Sequence, residues 1–145
     1  MILIIGSDGL LGSSLASNFD NCDVVRTSRN PSSNQIYFDM NMNIIDLILS
    51  LPPIKCVVVC SALSNVGYCQ ENTSECYNVN YHNTVRLIDQ LRSLCIPSIV
   101  FSSEYVFDGL SDADYTEFSP ICPTTTYGSS KAILESRLSN YHEYC

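Results

Sequence analysis

A tyrosine and a lysine stand four residues apart near the end of the chain, at Tyr127 and Lys131. In a helix this spacing places both side chains on one face. A phenol of ordinary pKa, about 10, exchanges protons poorly at neutral pH, and a neighbouring ammonium lowers that pKa by stabilising the phenolate. With a hydroxyl from another segment, for which Ser103 is the candidate, the pair predicts proton transfer to a carbonyl oxygen.

Three glycines, Gly6, Gly9 and Gly12, form a G-x-x-G-x-x-G loop between an apolar run and a short helical pattern. Glycine permits a tight turn and lets the backbone approach a pyrophosphate, and the N–H groups at a helix start attract anions. We therefore expect a dinucleotide site that includes Leu10 and Leu11 of this loop. A plain turn between strand and helix is the alternative.

The end of the second expected strand bears on the choice between NAD and NADP, because an acidic residue there binds the ribose and an arginine accommodates the extra phosphate. Asp23 begins that strand, too early to reach the ribose. The sequence favours NADP(H), held by Ser28 and Arg29 with Arg26 as a second candidate, and NAD(H) stays open. Solvated surface arginines are the alternative. Asp39 either accepts a hydrogen bond from the adenine amine or caps the following helix.

Short apolar runs alternate with helical patterns, which predicts a parallel sheet covered by helices on both faces. The expected strands cover residues 1–5, 22–26, 35–38, 54–60 and 97–102, and the expected helices cover residues 10–18, 42–51, 73–94 and 127–138. Residues 103–126 form a long loop of the kind that is usually functional. The expected fold is an open doubly wound α/β sheet of order 3-2-1-4-5, with Ser103 at its carboxyl edge, where such folds bind ligands.

The composition indicates one globular domain, since 46% of the 145 residues are hydrophobic and 15% are charged. A formal charge of -8 disfavours nucleic acid as a partner, and no apolar run approaches the roughly twenty residues that span a membrane. The eight cysteines form no C-x-x-C pair, so we expect reduced thiols in a cytoplasmic protein and no metal. A zinc site with His82 or His142 is the weaker alternative. The cysteines expected to be buried hydrophobes are Cys22, Cys56, Cys60 and Cys95.

Four segments, in this order, resemble the N-terminal half of the extended short-chain dehydrogenases/reductases. Within that group the chain is most similar to the dTDP-4-dehydrorhamnose reductase-like sugar-nucleotide reductases. The matching segments are residues 6–12, Tyr77-Asn78-Val79-Asn80, residues 101–109 and residues 123–131. The run from Ser103 to Gly109 best separates these reductases from other members of the superfamily, because epimerases and dehydratases usually carry a different sequence there.

The resemblance implies a Rossmann fold over residues 1–145 and an NADP-dependent oxidoreductase that reduces a 4-keto sugar nucleotide. Tyr127 would donate the proton, Ser103 would polarise the carbonyl, and Lys131 would hold the nicotinamide ribose and tune Tyr127. Ser61 and Ala62 would lie against the cofactor, and Asn80 would sit beside the site in a structural or water-holding role.

Two departures and two alternatives accompany the resemblance. Glu104 stands where these reductases usually have aspartate, and Ser103 stands where threonine is common, so both positions keep their chemical type. Family members continue into a lobe that grips the sugar nucleotide, so we expect a fold truncated before that lobe, and a homo-oligomer is left open. The alternatives are a non-catalytic dinucleotide-binding or regulatory module, and an epimerase or dehydratase that recycles its cofactor.

Overall fold

The computed structural model describes residues 1–20, 23–110 and 114–141. Cys22, where the second strand was expected to begin, and His142, the second histidine of the zinc alternative, lie outside these ranges. The described chain divides into two compact units. We call them the sheet unit, Met1–Ala62 with Arg86–Phe101, and the helical unit, Leu63–Val85 with residues 102–141. The expectation of a single domain stays a prediction.

Five parallel strands form the sheet of the sheet unit, in the order β3-β2-β1-β4-β5. The expected doubly wound fold and its strand order are confirmed. Ile5 at the end of β1 pairs with Thr27 on one side and with Val59 on the other, so the loops after these strands leave the same sheet edge. The strands are β1 Ile2–Ile5, β2 Val24–Ser28, β3 Ile36–Tyr37, β4 Cys56–Val59 and β5 Ser98–Val100.

Both faces of the central strands are buried. Ile4 and Val24 pack with Ala16 of the first helix on one face. Leu3 and Ile5 alternate with Ile4 and therefore point to the other face, where they are equally inaccessible. A sheet covered on both sides favours strands that are apolar throughout, which is why the runs around β1 and β4 could be assigned from sequence.

The helices differ from expectation mainly around residue 80. In place of one α-helix over residues 73–94, the chain forms α4, a π-helix and α5 in succession, and a short helix α3 precedes them. The hydroxyl of Thr84 donates to the carbonyl of Val79, five residues back (3.2 Å). Apolar periodicity does not reveal one extra residue per turn. The helical elements are α1 Leu10–Ala16, α2 Ile44–Ser50, α3 Val66–Glu71, α4 Thr73–Tyr77, the π-helix Asn78–Asn83, α5 Thr84–Ser93, a 3-10 helix Glu104–Val106 and α6 Thr126–Leu138.

Capping side chains explain two of these helix starts. Asn43 caps α2 by accepting a hydrogen bond from the N–H of Ile45, so the interpretation of Asp39 as the cap is wrong. Asn65 caps α3 by accepting from the N–H of Tyr68. An asparagine just before a short helical run was the sequence signal for α3, and Gly67 inside that run weakened it.

Candidate active site and dinucleotide pocket

Two of the three loop glycines are required by the fold of the sheet unit. Gly6 has a φ of +78°, and a Cβ there would lie 2.9 Å from the Cα of Ser61. A Cβ on Gly12 would collide with the carbonyl oxygen of Gly6. Side chains at these positions would therefore separate the loop from β4 and from its own turn, whether or not a ligand binds.

Gly9 is different, because the polypeptide itself would tolerate a side chain there. Its φ of -70° is open to any residue, and a Cβ would meet only the Gly6 carbonyl oxygen, at an ordinary contact distance of 3.5 Å. The loop therefore presents bare backbone at Gly9, where the fold itself would allow a side chain. Such a cradle suits the close approach of a pyrophosphate, so the loop fits the expected dinucleotide.

A pocket of ≈ 160 Å³ lies beside this loop and brings together predicted residues from three strand ends. Its lining includes Gly6, Gly9, Ser28, Arg29, Ser61 and Ala62. Sequence reasoning missed six further polar and apolar members. They are Ile5, Asp8, Asn30, Phe38, Met40 and Cys60. Asp8 lies inside the glycine loop, and Phe38 and Met40 flank Asp39. Their closeness in sequence to predicted residues could therefore have identified them.

Five residues of the sheet unit that were predicted for the cofactor lie outside that lining, namely Leu10, Leu11, Gly12, Arg26 and Asp39. The guanidinium of Arg26 donates to the carbonyl of Ala16 (3.0 Å), at the end of α1. Asp39 accepts a hydrogen bond from the N–H of Asn41 (2.8 Å). Leu10 and Leu11 are exposed at the start of α1. Arg26 is therefore engaged with the fold, and Arg29 is the pocket's arginine.

Replacing Gly9 by alanine is expected to weaken dinucleotide binding without unfolding the chain. An added methyl in a filled contact costs about 1–3 kcal/mol, which corresponds to about a fivefold to hundredfold rise in Kd. Calorimetric titration with NADPH and a thermal melt would measure both effects. Gly67→Ala is the matched control, because its Cβ would lie 3.6 Å from Asn65 Oδ1 in the other unit. Equal NADPH affinity in Gly9→Ala and the native protein would contradict the claim that the pyrophosphate lies against Gly9.

In the helical unit, α6 carries Tyr127 and Lys131 on one face, as the spacing predicted. Thr125 starts the helix by accepting from the N–H of Gly128 (3.0 Å). The two functional side chains are inaccessible, with exposed fractions of 8% for Tyr127 and 6% for Lys131. Burial fixes their positions and removes competing water from the phenol and the ammonium.

Ser103 lies at the start of the 3-10 helix in the same unit. Its Oγ accepts from the N–H of Tyr105 (3.3 Å) and donates to Glu104 Oε2 (3.1 Å). Its side chain also lies close enough to that of Tyr127 to lower the pKa of the phenol. Ser103 and Glu104 both line a cavity of ≈ 580 Å³. The structure thus brings the predicted serine and tyrosine together.

The pKa of Tyr127 is raised, because burial outweighs the lowering effect of the nearby Ser103 side chain. Burial likewise lowers the pKa of the Lys131 ammonium. The sequence argument expected the ammonium to lower the pKa of the phenol, and it ignored the cost of burying a phenolate. Tyr127 is consequently a protonated phenol at neutral pH, so it holds the proton that a general acid must supply.

Asn80 supports this cluster from within the helical unit. Its Oδ1 accepts from the N–H of Leu63 (2.8 Å), and its Nδ2 donates to the carbonyl of Leu63 (3.0 Å) and to Ser130 Oγ (3.1 Å). Ser130 in turn donates to the carbonyl of Tyr127 (2.7 Å). These bonds occupy both ends of the amide, so Asn80 has the structural role among those that the resemblance implied.

The cysteines closest to this cluster are not those expected to be buried. Cys69 and Cys76 are inaccessible and pack against Tyr127, whereas Cys56 and Cys60 are half-buried and Cys95 is exposed. Cys95 follows α5 with a φ of 54°, which turns the chain away from the helix. Neighbouring apolar residues in the sequence were therefore a poor guide to thiol burial.

Burial, reinforced by Cys76 and Glu75, raises the pKa of Cys69 from 9.0 to about 12. The unfolded chain loses this proton first, so the stabilisation is complete below pH 9.0 and is lost as the pH rises toward about 12. We expect the urea midpoint, measured in reductant, to fall over this range, and to fall less steeply in Cys69→Ser. Serine retains a donor for the Leu63 carbonyl, which Cys69 Sγ contacts at 3.3 Å. If the urea midpoints of the two proteins fell in parallel with pH, the loss of stability would not come from Cys69.

The described ranges contain neither a metal-binding cluster nor a membrane-spanning helix. No group of three or more His, Cys, Asp or Glu side chains there is placed to hold a metal ion. None of the helices in that part of the chain is long and apolar enough to cross a bilayer.

Comparisons with known proteins find similarity to a putative epimerase and to a probable reductase. A putative UDP-glucose 4-epimerase from Methanocaldococcus jannaschii is 25% identical over 155 residues, covering 98% of this chain and 51% of that protein. A probable low-salt glycan biosynthesis reductase, Agl14, from Haloferax volcanii is 29% identical over 144 residues, covering 88% of this chain and 45% of that protein. The chain thus spans about half the length of these curated relatives.

A solved structure shows the same fold with a dinucleotide. MoeE5 in complex with UDP-glucose and NAD superposes with a TM-score of 0.82 at 26% identity, over 95% of this chain and 47% of that one. The RmlD substrate binding domain family matches residues 1–145, the whole sequence in hand. With the glycine loop, the Tyr127–Lys131 pair and Ser103 placed as described, the chain belongs to this family of extended short-chain dehydrogenases/reductases.

Proposed function

We propose that the protein is an NADP-dependent reductase of a 4-keto sugar nucleotide. The observation that carries the proposal is the nearness of the Ser103 side chain to the buried, protonated Tyr127, which it affects electrostatically, with Lys131 one helical turn away. A protonated phenol beside a second hydroxyl is the arrangement that a carbonyl oxygen needs when it gains negative charge. The family match and the Haloferax volcanii reductase support a reductive reaction.

In the proposed reaction, Tyr127 gives its phenol proton to the substrate's carbonyl oxygen. Ser103 donates a hydrogen bond to the same oxygen, which requires its hydrogen to turn away from Glu104 Oε2. Bound NADPH would supply the hydride for the carbonyl carbon. Lys131 would hold the nicotinamide ribose, and the resulting Tyr127 phenolate would regain a proton from solvent.

The cofactor preference rests on Arg29 and Ser28 in the glycine-loop pocket. Arg29 is exposed there, and the 2′-phosphate of NADPH would give its guanidinium an anionic partner. Arg29→Ala is expected to weaken NADPH binding by about tenfold to a hundredfold, the range for a hydrogen bond to a charged group. NADH binding should change less than twofold. Equal losses for both dinucleotides in a fluorescence titration would remove Arg29 from the phosphate site.

The reaction is tested by mixing the protein with NADPH and dTDP-4-dehydrorhamnose and following nicotinamide absorbance. A reductase oxidises NADPH in proportion to the alcohol formed. Tyr127→Phe is the matched control for background oxidation. Full consumption of the keto sugar with no loss of NADPH would refute the proposal.

An NAD-dependent epimerase is the second candidate, favoured by the likeness to the Methanocaldococcus jannaschii protein. An epimerase regenerates its cofactor within each cycle, so it converts UDP-glucose to its C4 epimer without net change in NADH. Chromatography of UDP-glucose after incubation with the protein and NAD separates the two candidates. The run from Tyr105 to Gly109 favours the reductase.

A further inference from the structure

The glycine-loop pocket carries two opposite charges that do not neutralise each other. Asp8 and Arg29 both line it, and both are exposed. Over the described ranges neither side chain has a hydrogen-bond or ion-pair partner, and the salt bridge found there joins Arg92 to Asp89, at 4.0 Å. A ligand in this pocket therefore meets one free cation and one free anion.

The backbone places Asp8 beside the end of β2. The N–H of Ser7 donates to the carbonyl of Thr27 (2.9 Å), and Ser7 Oγ donates to the same oxygen (3.0 Å). Gln35 adds a hydrogen bond from its Nε2 to Ser7 Oγ (3.0 Å). Asp8 follows Ser7 directly, just as Ser28 and Arg29 follow Thr27. The two chain segments are held together at the point where their charges enter the pocket.

We propose that Asp8 is a specificity-determining residue that limits the preference for NADPH over NADH. The proposal rests on the proposed function, because it assigns the 2′-phosphate to the Ser28–Arg29 end of the pocket. Arg29 attracts that phosphate monoester, and Asp8, on the neighbouring segment, repels it. NADH carries a hydroxyl at the same position and feels neither charge strongly.

Electrostatics sets the sign and the size of the effect. A phosphate monoester carries close to two negative charges at pH 8, because its second pKa is about 6. Removing one carboxylate charge from an exposed site a few ångströms away is expected to tighten phosphate binding by about threefold to tenfold. The gain should shrink as salt is added, because exposed charges are screened.

The test compares Asp8→Asn with the native protein, using NADPH and NADH in calorimetric titrations at low and high salt. Asparagine keeps the size of the side chain and removes its charge. Asp23→Asn is the control, because it removes the same charge from the exposed start of β2, outside the pocket. We expect NADPH affinity to rise about threefold to tenfold in Asp8→Asn alone, with NADH affinity changed less than twofold.

Three results would overturn the proposal: no change in the affinity for either dinucleotide, an equal gain for both dinucleotides, or the same gain in Asp23→Asn. An equal gain would place Asp8 against the pyrophosphate that both dinucleotides share. Adenosine 2′,5′-bisphosphate and adenosine 5′-monophosphate repeat the comparison without the nicotinamide half. A native protein that binds neither dinucleotide would refute the proposed function and this proposal together, whereas an unchanged ratio in a protein that binds both refutes this proposal alone.

Discussion

Tyr127→Phe is expected to lower turnover of the keto sugar nucleotide by about a hundredfold to ten-thousandfold, the range for loss of a positioned general acid. Phenylalanine keeps the ring, which makes an edge contact with Tyr105 at 5.7 Å between centroids. Stability and NADPH affinity should therefore stay close to those of the native protein. Single-turnover oxidation of NADPH measures the chemical step.

The control for this substitution is Tyr81→Phe, which removes the hydroxyl of another half-buried tyrosine in the helical unit. Its turnover should match that of the native protein. If Tyr127→Phe turns over within about threefold of the native rate, the phenol is not the acid. A tenfold change in rate corresponds to about 1.4 kcal/mol of barrier, so a threefold change is far smaller than the loss of a general acid.

Gly128→Ala should be the most destabilising single substitution proposed for the helical unit. Alanine is favoured over glycine inside a helix by about 1 kcal/mol. Here, however, its Cβ would collide with the carbonyl oxygen of Tyr105 and lie 3.1 Å from Thr125 Oγ1. Since one obstacle is backbone, the free energy of unfolding should fall by about 1–3 kcal/mol despite the helix preference.

The same displacement should also weaken catalysis, because Tyr105 belongs to the 3-10 helix that Ser103 caps. Moving that segment from α6 would stretch the contact between Ser103 and Tyr127. Urea denaturation of Gly128→Ala, with Gly67→Ala as control, tests the packing. A Gly128→Ala protein as stable as the native one would show that α6 and the 3-10 helix can separate at little cost.

The sequence was informative where one local feature determines the structure. The apolar runs of β1 and β4 have both faces buried, so their composition alone marks central parallel strands. The loop glycines follow such a strand directly, which is the setting in which this pattern is meaningful. The spacing of Tyr127 and Lys131 needed only the helical repeat.

The remaining features depend on contacts between distant segments. Asn80 sits in a π-helix and binds the backbone of Leu63, seventeen positions away, and no periodicity encodes that partner. Arg26 and Arg29 lie close together in sequence, yet one binds the carbonyl of Ala16 and the other enters the pocket. The raised pKa of Tyr127 arises from burial, which a spacing argument does not include.

Transfer of deuterium is the most direct measurement of the central claim that the protein reduces a carbonyl with hydride from NADPH and a proton from Tyr127. The protein is incubated with dTDP-4-dehydrorhamnose and NADPH that carries deuterium at the transferable position of the nicotinamide. We predict one deuterium on the former carbonyl carbon of the product, and almost none with Tyr127→Phe. A product alcohol without deuterium, or equal labelling by the Tyr127→Phe protein, would contradict the account.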